Sequence, residues 1–206
     1  MSDRPQAGGE PSGERVVIET VDQWSDWLEG NHGRDRGVWL VSWTKTTGKL
    51  SIGYEDMVCE ALRFGWIDSK AIRLNEGQTM LWFSPRRPGS GWARPNKLRI
   101  ERLEREGRMA AAGRRVVETA KADGTWQLLD DVEDLKLPDD LMEAFALNPG
   151  SRDHWEEFPK SVKRSILEWI VHAKRPGTRA RRVSETATLA ARGERANQWK
   201  PPSERS

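Results

Sequence analysis

The stretch Phe83-Ser84-Pro85-Arg86-Arg87-Pro88-Gly89-Ser90-Gly91-Trp92-Ala93-Arg94-Pro95-Asn96-Lys97 concentrates groups that bind anions. Arg86 and Arg87 offer two guanidinium forks, which match carboxylate or phosphate oxygens bidentately. Ser84 adds a hydroxyl, Asn96 an amide and Lys97 an ammonium group. Trp92 adds a ring able to stack on a base or receive a cation. Pro and Gly hold the segment to an extended, specific loop path. Asn96 and Lys97 fall near the first turn of the helix expected next, whose free N–H groups also favour an anion. Together this is the chemistry of a phosphate or carboxylate pocket. The competing reading is internal: Arg86 and Arg87 pair with Asp68 and other acids and lock the loop onto a sheet.

Trp66-Ile67-Asp68 opens a strand, so alternation puts Trp66 and Asp68 on one side and Ile67 on the other. Beside a basic loop, Asp68 orients an arginine or acts as a general base. An arginine neighbour lowers a carboxylate pKa and makes it a poor base near neutral pH, which favours orientation. His32 follows a helix end and has no visible partner for acid–base work. Asp68 or His32 is nevertheless the proton-transfer group of an alternative reading, an enzyme acting on a nucleotide-like or acidic metabolite. Cys59, between Val58 and Ala61 in a helical pattern, reads as a small buried residue and not a nucleophile. His154 and His172 have no metal-ligand spacing, and one cysteine excludes a disulfide scaffold or a multi-cysteine metal site. No GxxxxGK[ST], GxGxxG or GxSxG motif occurs, and nothing calls for a cofactor.

A second basic group, Lys174, Arg175, Arg179, Arg181 and Arg182, places five cations in nine residues. It suits phosphates of lipid head groups or nucleic acid, or it packs against the acidic stretch around 130–140. Aromatic residues for stacking single strands are absent from it. The chain of 206 residues has a net charge of only +2, so nucleic acid is an unlikely partner. That small sum hides blocks. Residues 84–115 carry ten Lys/Arg against three Asp/Glu, and residues 118–157 carry three against twelve, a net charge of −9. No apolar run approaches the length of a membrane span and the start is not a secretory signal, which predicts a cytoplasmic protein.

The elements that must position these groups follow from the hydrophobic period. A strand at 16–19, a helix capped by Thr20 or Asp22, a strand at 37–45 and a helix at 51–64 capped by Ser51 come first. Strands at 66–74 and 79–85 follow, joined by a turn at 75–77. This order predicts an α+β fold, a mixed sheet of about four strands with packed helices over 15–125. Helices at 95–106, 111–121, 138–147, 151–158, 161–174 and about 180–192 follow, with 128–137 read as an acidic loop. The C-terminal part, 135–195, is therefore predicted to be a helical unit. The stretches 1–14 and 196–206 read as disordered tails.

The strings WLEGNHGRDRGVWL (27–40), FGWIDSK (64–70), FSPRRPGSGWARPNK (83–97), GRM (107–109) and AKADGTW (120–126), with PDDL (138–141) and SILEWIVHAKRPGTRARR (165–182), form a set. As a set they resemble the bacteriocin-protection, YdeI/OmpD-associated family of bacterial proteins over roughly residues 20–195. Two departures fall inside the candidate pocket. Ser69-Lys70 stands where the family tends to have a small residue after WID, and Ala93-Arg94-Pro95 where it tends to have a Ser-Lys pair. The resemblance implies a link to tolerance of antimicrobial peptides or bacteriocins and to envelope stress, and brings no established reaction. The combined expectation is a stress protein with an anion pocket walled by Trp66, Asp68, Ser84, Arg86, Arg87, Trp92, Asn96 and Lys97. An envelope-associated or anionic-surface partner is the second expectation.

Overall fold

The computed structural model describes residues 12–198. Over these the chain divides into two compact units. The first holds residues up to Ser90 together with Asn96–Ala122, and the second holds Gly91–Pro95 together with the residues from Asp123 onward.

The first unit is built on four strands, β1 (Arg15–Val17), β2 (Val38–Trp43), β3 (Trp66–Arg73) and β4 (Gln78–Pro85). Their order is β1-β2-β4-β3; β1 runs parallel to β2, and the other two pairings are antiparallel. A parallel pair needs a crossover, and here α1 (Val21–Asn31) supplies it. The sheet is mixed, as the order of elements predicts. Thr20 caps α1 by accepting from the Gln23 N–H at 3.2 Å.

Alternation along β2 splits its apolar residues between two faces. Val38 and Leu40 share one face with Phe83 of β4, against which Trp24 of α1 packs at a tilt, 5.1 Å between ring centroids. Trp39 and Val41 face the other way and pair with Trp82 and Met80, extending to Ile72 and Leu74. Helix α2 (Tyr54–Arg63) packs on α1 and β3 and buries Met57, Val58, Ala61 and Leu62. It does not start at Ser51. The Ser51 hydroxyl donates to the Trp43 carbonyl at 2.6 Å, which holds that residue to the end of β2, and Gly53 takes the N-cap position.

Two further helices complete this unit, α3 (Arg94–Arg105), of which Asn96 onward belongs to it, and α4 (Ala111–Ala122). Gly113 of α4 lies against the Arg63 carbonyl at the end of α2, where a Cβ would collide with it. Of the predicted N-terminal tail, residues 1–11 lie outside the described residues. Ser12 and Glu14 bond to β2: the Ser12 carbonyl accepts from Trp39 Nε1 at 3.1 Å, and the Glu14 carbonyl from the Trp39 N–H at 2.8 Å.

The second unit is helical. It contains α5 (Asp130–Glu133), α6 (Asp139–Ala146), α7 (Ser151–Glu157), α8 (Lys160–Val171) and α9 (Pro176–Ala190). The stretch 128–137, read as a loop, therefore includes one helical turn, whose Val132 is buried. Helix α9 starts four residues earlier than the apolar period indicates. Pro176 sits in its first turn, where a missing N–H costs nothing. This helix packs against α6, α7 and α8, and its small residues Ala187 and Ala190 are fully buried at those contacts. Trp155 of α7 fills the centre, 5.5 Å from the Phe145 ring. The predicted C-terminal tail is described only to 198, and within it Ala196 is 1 % exposed.

Candidate functional site

The strand β4 ends at Pro85, and the backbone continues the ladder by one further bond, Arg86 N–H to the Gly65 carbonyl at 3.0 Å. Arg87-Pro88-Gly89-Ser90 then closes a turn. The Ser90 N–H donates to the Arg87 carbonyl at 3.2 Å, and Gly89 has φ +78°. Pro at the second position and a left-handed Gly at the third are what a type II turn requires. The Ser90 hydroxyl also donates to the Arg87 carbonyl, at 2.7 Å, and accepts from Arg86 Nη2 at 3.4 Å. The two adjacent arginines therefore differ in setting: Arg86 is half-buried and Arg87 is exposed. Burial draws the Arg86 guanidinium pKa down to about 10, so it stays charged at neutral pH while losing much of its hydration. Ser84, one pleat back, is half-buried opposite Ile67.

Trp66 and Trp92 are 1 % exposed. In the first unit, Trp66 Nε1 donates to the His32 carbonyl at 3.0 Å, and its ring meets Trp27 edge-on at 5.7 Å. Trp92 belongs to the second unit, where it packs on Trp126 with centroids 5.0 Å apart. His32 is the C-cap of α1. Its ring Nδ1 lies 3.1 Å from the Leu28 and Glu29 carbonyls, so it serves the end of its own helix.

Asp68 accepts a hydrogen bond from Tyr54 Oη at 3.0 Å. Tyr54 opens α2, and the next residue, Glu55, gathers the arginines of α3. Arg99 donates to Glu55 Oε2 through Nε (3.0 Å) and Nη2 (2.7 Å), and through Nη1 to Asn96 Oδ1 (2.8 Å). Arg102 Nη2 donates to Glu55 Oε1 (3.0 Å) and to Cys59 Sγ (2.8 Å). The hydrogen bond from Arg99 is the main cause that holds the Glu55 carboxyl at about 2 instead of 4.5. Burial pushes the Cys59 thiol up, with Glu55 adding to the effect, so the sulfur is a protonated packing atom and not a nucleophile. Sequence reading passed over Tyr54, Glu55, Arg99 and Arg102. The only local signal was the i,i+3 spacing of the two arginines on the face of α3 that also carries Asn96. Lys97, on the next position of α3, is buried at 8 % exposure.

The N-terminus of α3, expected to have free N–H groups for an anion, already holds one from the chain. Within the second unit, Glu133 accepts the Arg94 N–H with both carboxylate oxygens at 3.0 Å and also faces Arg164 Nη2 at 3.5 Å. Arg94 Nη2 donates to Asp134 at 2.6 Å. The expected helix-end site is thus filled by an acidic side chain.

The second basic group is divided by α9. Arg179 makes a two-pronged bond to Asp140 (2.7 and 3.0 Å), so it does meet the acidic stretch. Arg182 donates to the Trp169 carbonyl and stands 4.9 Å over the Trp169 ring. Lys174, Arg175 and Arg181 remain exposed. Among the described residues no group of three or more His, Cys, Asp or Glu is arranged to hold a metal ion, and no helix is long and apolar enough to cross a membrane.

Comparison with known families divides the chain at nearly the place where the structure does. Residues 16–116 match a domain of unknown function (DUF8412), and residues 134–193 match the family described as bacteriocin-protection, YdeI or OmpD-associated. No curated protein and no solved structure matches the chain. The resemblance read over 20–195 is therefore shown for its C-terminal part, PDDL and SILEWIVHAKRPGTRARR, while most of the N-terminal strings fall within the other match. The helical unit formed by α6 to α9 is thus the part of the chain that is similar to the bacteriocin-protection, YdeI or OmpD-associated family.

Proposed function

We propose that this chain is a cytoplasmic bacterial stress protein of antimicrobial-peptide or bacteriocin tolerance that binds a small phosphate- or carboxylate-bearing molecule at the Arg86–Ser90 turn. The matched family's description supplies the tolerance context. The observation that carries the binding reading is the half-buried Arg86 guanidinium beside the Ser90 hydroxyl, whose pKa burial draws down to about 10. A dehydrated cation gains more than an exposed one from meeting a charged oxygen. The Pro88-Gly89 turn holds Ser90 beside Arg86, and Arg87 adds a second cation one residue away. The binding group is then Arg86, Arg87, Ser84 and Ser90. Trp66 and Trp92 serve as packing, and Asn96 and Asp68 belong to the Glu55 cluster on α2 and α3.

The test is a melting-temperature titration of the full chain with inorganic phosphate, pyrophosphate and malonate. Ligand at ten times its dissociation constant stabilises by about 1.4 kcal/mol, an upward shift of a few degrees. The shift is expected for the native chain, reduced in Arg87→Ala, partly kept in Arg86→Lys and lost in Arg86→Ala. An equal shift in Arg86→Ala sinks the reading. So does a native chain that none of the three anions stabilises, or a pair of arginine variants that both fail to fold.

A further inference from the structure

The second unit contains a cavity of about 350 Å³, within the usual range of small-molecule and peptide side-chain pockets. Its apolar floor comes from Val132 of α5, Leu137 of the linker, and Leu167, Ile170 and Val171 of α8. Four charged residues ring it: Asp131, Lys136, Asp139 and Arg179. Both cations are already engaged. Arg179 is held by Asp140, and Lys136 leans on Asp131 at 3.4 Å. Asp139 forms no ion pair among the described residues, so the unmatched charge at the rim is negative. The Lys136–Asp131 contact is long and about two-thirds exposed on both sides, so a competing cation can displace it at little cost. The surrounding stretch 118–157 carries a net charge of −9.

Helix α6 extends the apolar surface past the rim. Asp139 and Met142 lie three residues apart and so share a helix face, and the Met142 side chain is 44 % exposed. An occupant that fills the floor and covers Met142 is longer than the cavity and pairs apolar groups with positive charge. We infer that this cavity seats one face of a cationic amphipathic peptide, with apolar side chains on Leu167, Ile170 and Met142 and Lys or Arg side chains on Asp139 and Asp131. Laying an apolar helix face in such a groove is a recurrent mode of peptide recognition. The inference goes beyond the anion reading and draws on a different unit, so either fails without the other.

The experiment is fluorescence-anisotropy binding of a dye-labelled synthetic leucine–lysine amphipathic peptide to the full chain, with a leucine–glutamate peptide and decanoate as competitors. Saturable binding of the leucine–lysine peptide is expected, with no competition from the other two. Asp139→Lys should raise the dissociation constant by roughly tenfold or more, the scale of one close charge pair. Val171→Trp, which fills the floor, should abolish binding. If that variant melts early, Met142→Glu on the exposed face of α6 serves in its place. Equal binding by the leucine–glutamate peptide, competition by decanoate, or an unchanged constant in Asp139→Lys overturns the proposal.

Discussion

Single side chains in this protein take their roles from the water they lose. Arg86, Cys59 and Glu55 all sit beside polar groups, yet burial lowers the first, burial raises the second and paired arginines lower the third. Glu55 yields a pH prediction. Its folded pKa is depressed to about 2 from 4.5, so its contribution is present above 4.5 and is lost as pH falls toward 2. Half of the Glu55 side chain is exposed, so the effect is small and salt-sensitive. Melting temperature followed from pH 4.5 down to 2 should fall less steeply in Glu55→Gln than in the native chain. Parallel curves refute the pairing with Arg99 and Arg102 as a source of stability. Which arginine meets Glu55 was not readable in advance, because its partners lie 44 and 47 residues away along the chain.

At the scale of elements, two glycines separate local preference from packing. Gly89 has φ +78° in the turn that carries Arg86, and a side chain there costs about 1–2 kcal/mol. Gly113 lies in the first turn of α4, where alanine is still intrinsically better, by up to roughly 1 kcal/mol. A Cβ at that position nevertheless runs into the Arg63 carbonyl of α2, backbone that cannot swing aside. Gly113→Ala should therefore destabilise by about 1–3 kcal/mol in denaturant unfolding, against its helix propensity. A stabilised Gly113→Ala would show that α2 and α4 do not approach as closely as described. The same competition explains the start of α2. Ser51 is a good cap by type, but its hydroxyl ties the residue to the Trp43 carbonyl at the end of β2, and the helix starts after Gly53.

The whole chain mixes its segments in a way a linear reading misses. Gly91–Pro95 belongs with the helical unit, although a sheet unit precedes it and Asn96–Ala122 returns to that unit. Trp92 is therefore a core residue of the second unit through Trp126, and Gly91 leaves no room for a Cβ against Leu129. Trp92→Ala should cost roughly 3–5 kcal/mol of unfolding free energy, the scale of a buried Trp truncation. A fragment beginning at Asp123, which lacks Trp92 altogether, should melt below the same segment in the full chain. A fragment of undiminished stability would place Trp92 outside that core. From sequence alone came the α+β class, the four strands, the helical C-terminal part and the family resemblance of residues 134–193, because hydrophobic period and motif strings are properties of contiguous residues. Tertiary structure alone decided which rings are buried, that Glu133 rather than a ligand caps α3, that Arg179 is spent on Asp140, and that α5, α6 and α8 leave a hollow. Those outcomes depend on which distant groups share a dry space, and a one-dimensional pattern carries no distance between residues that meet only on folding.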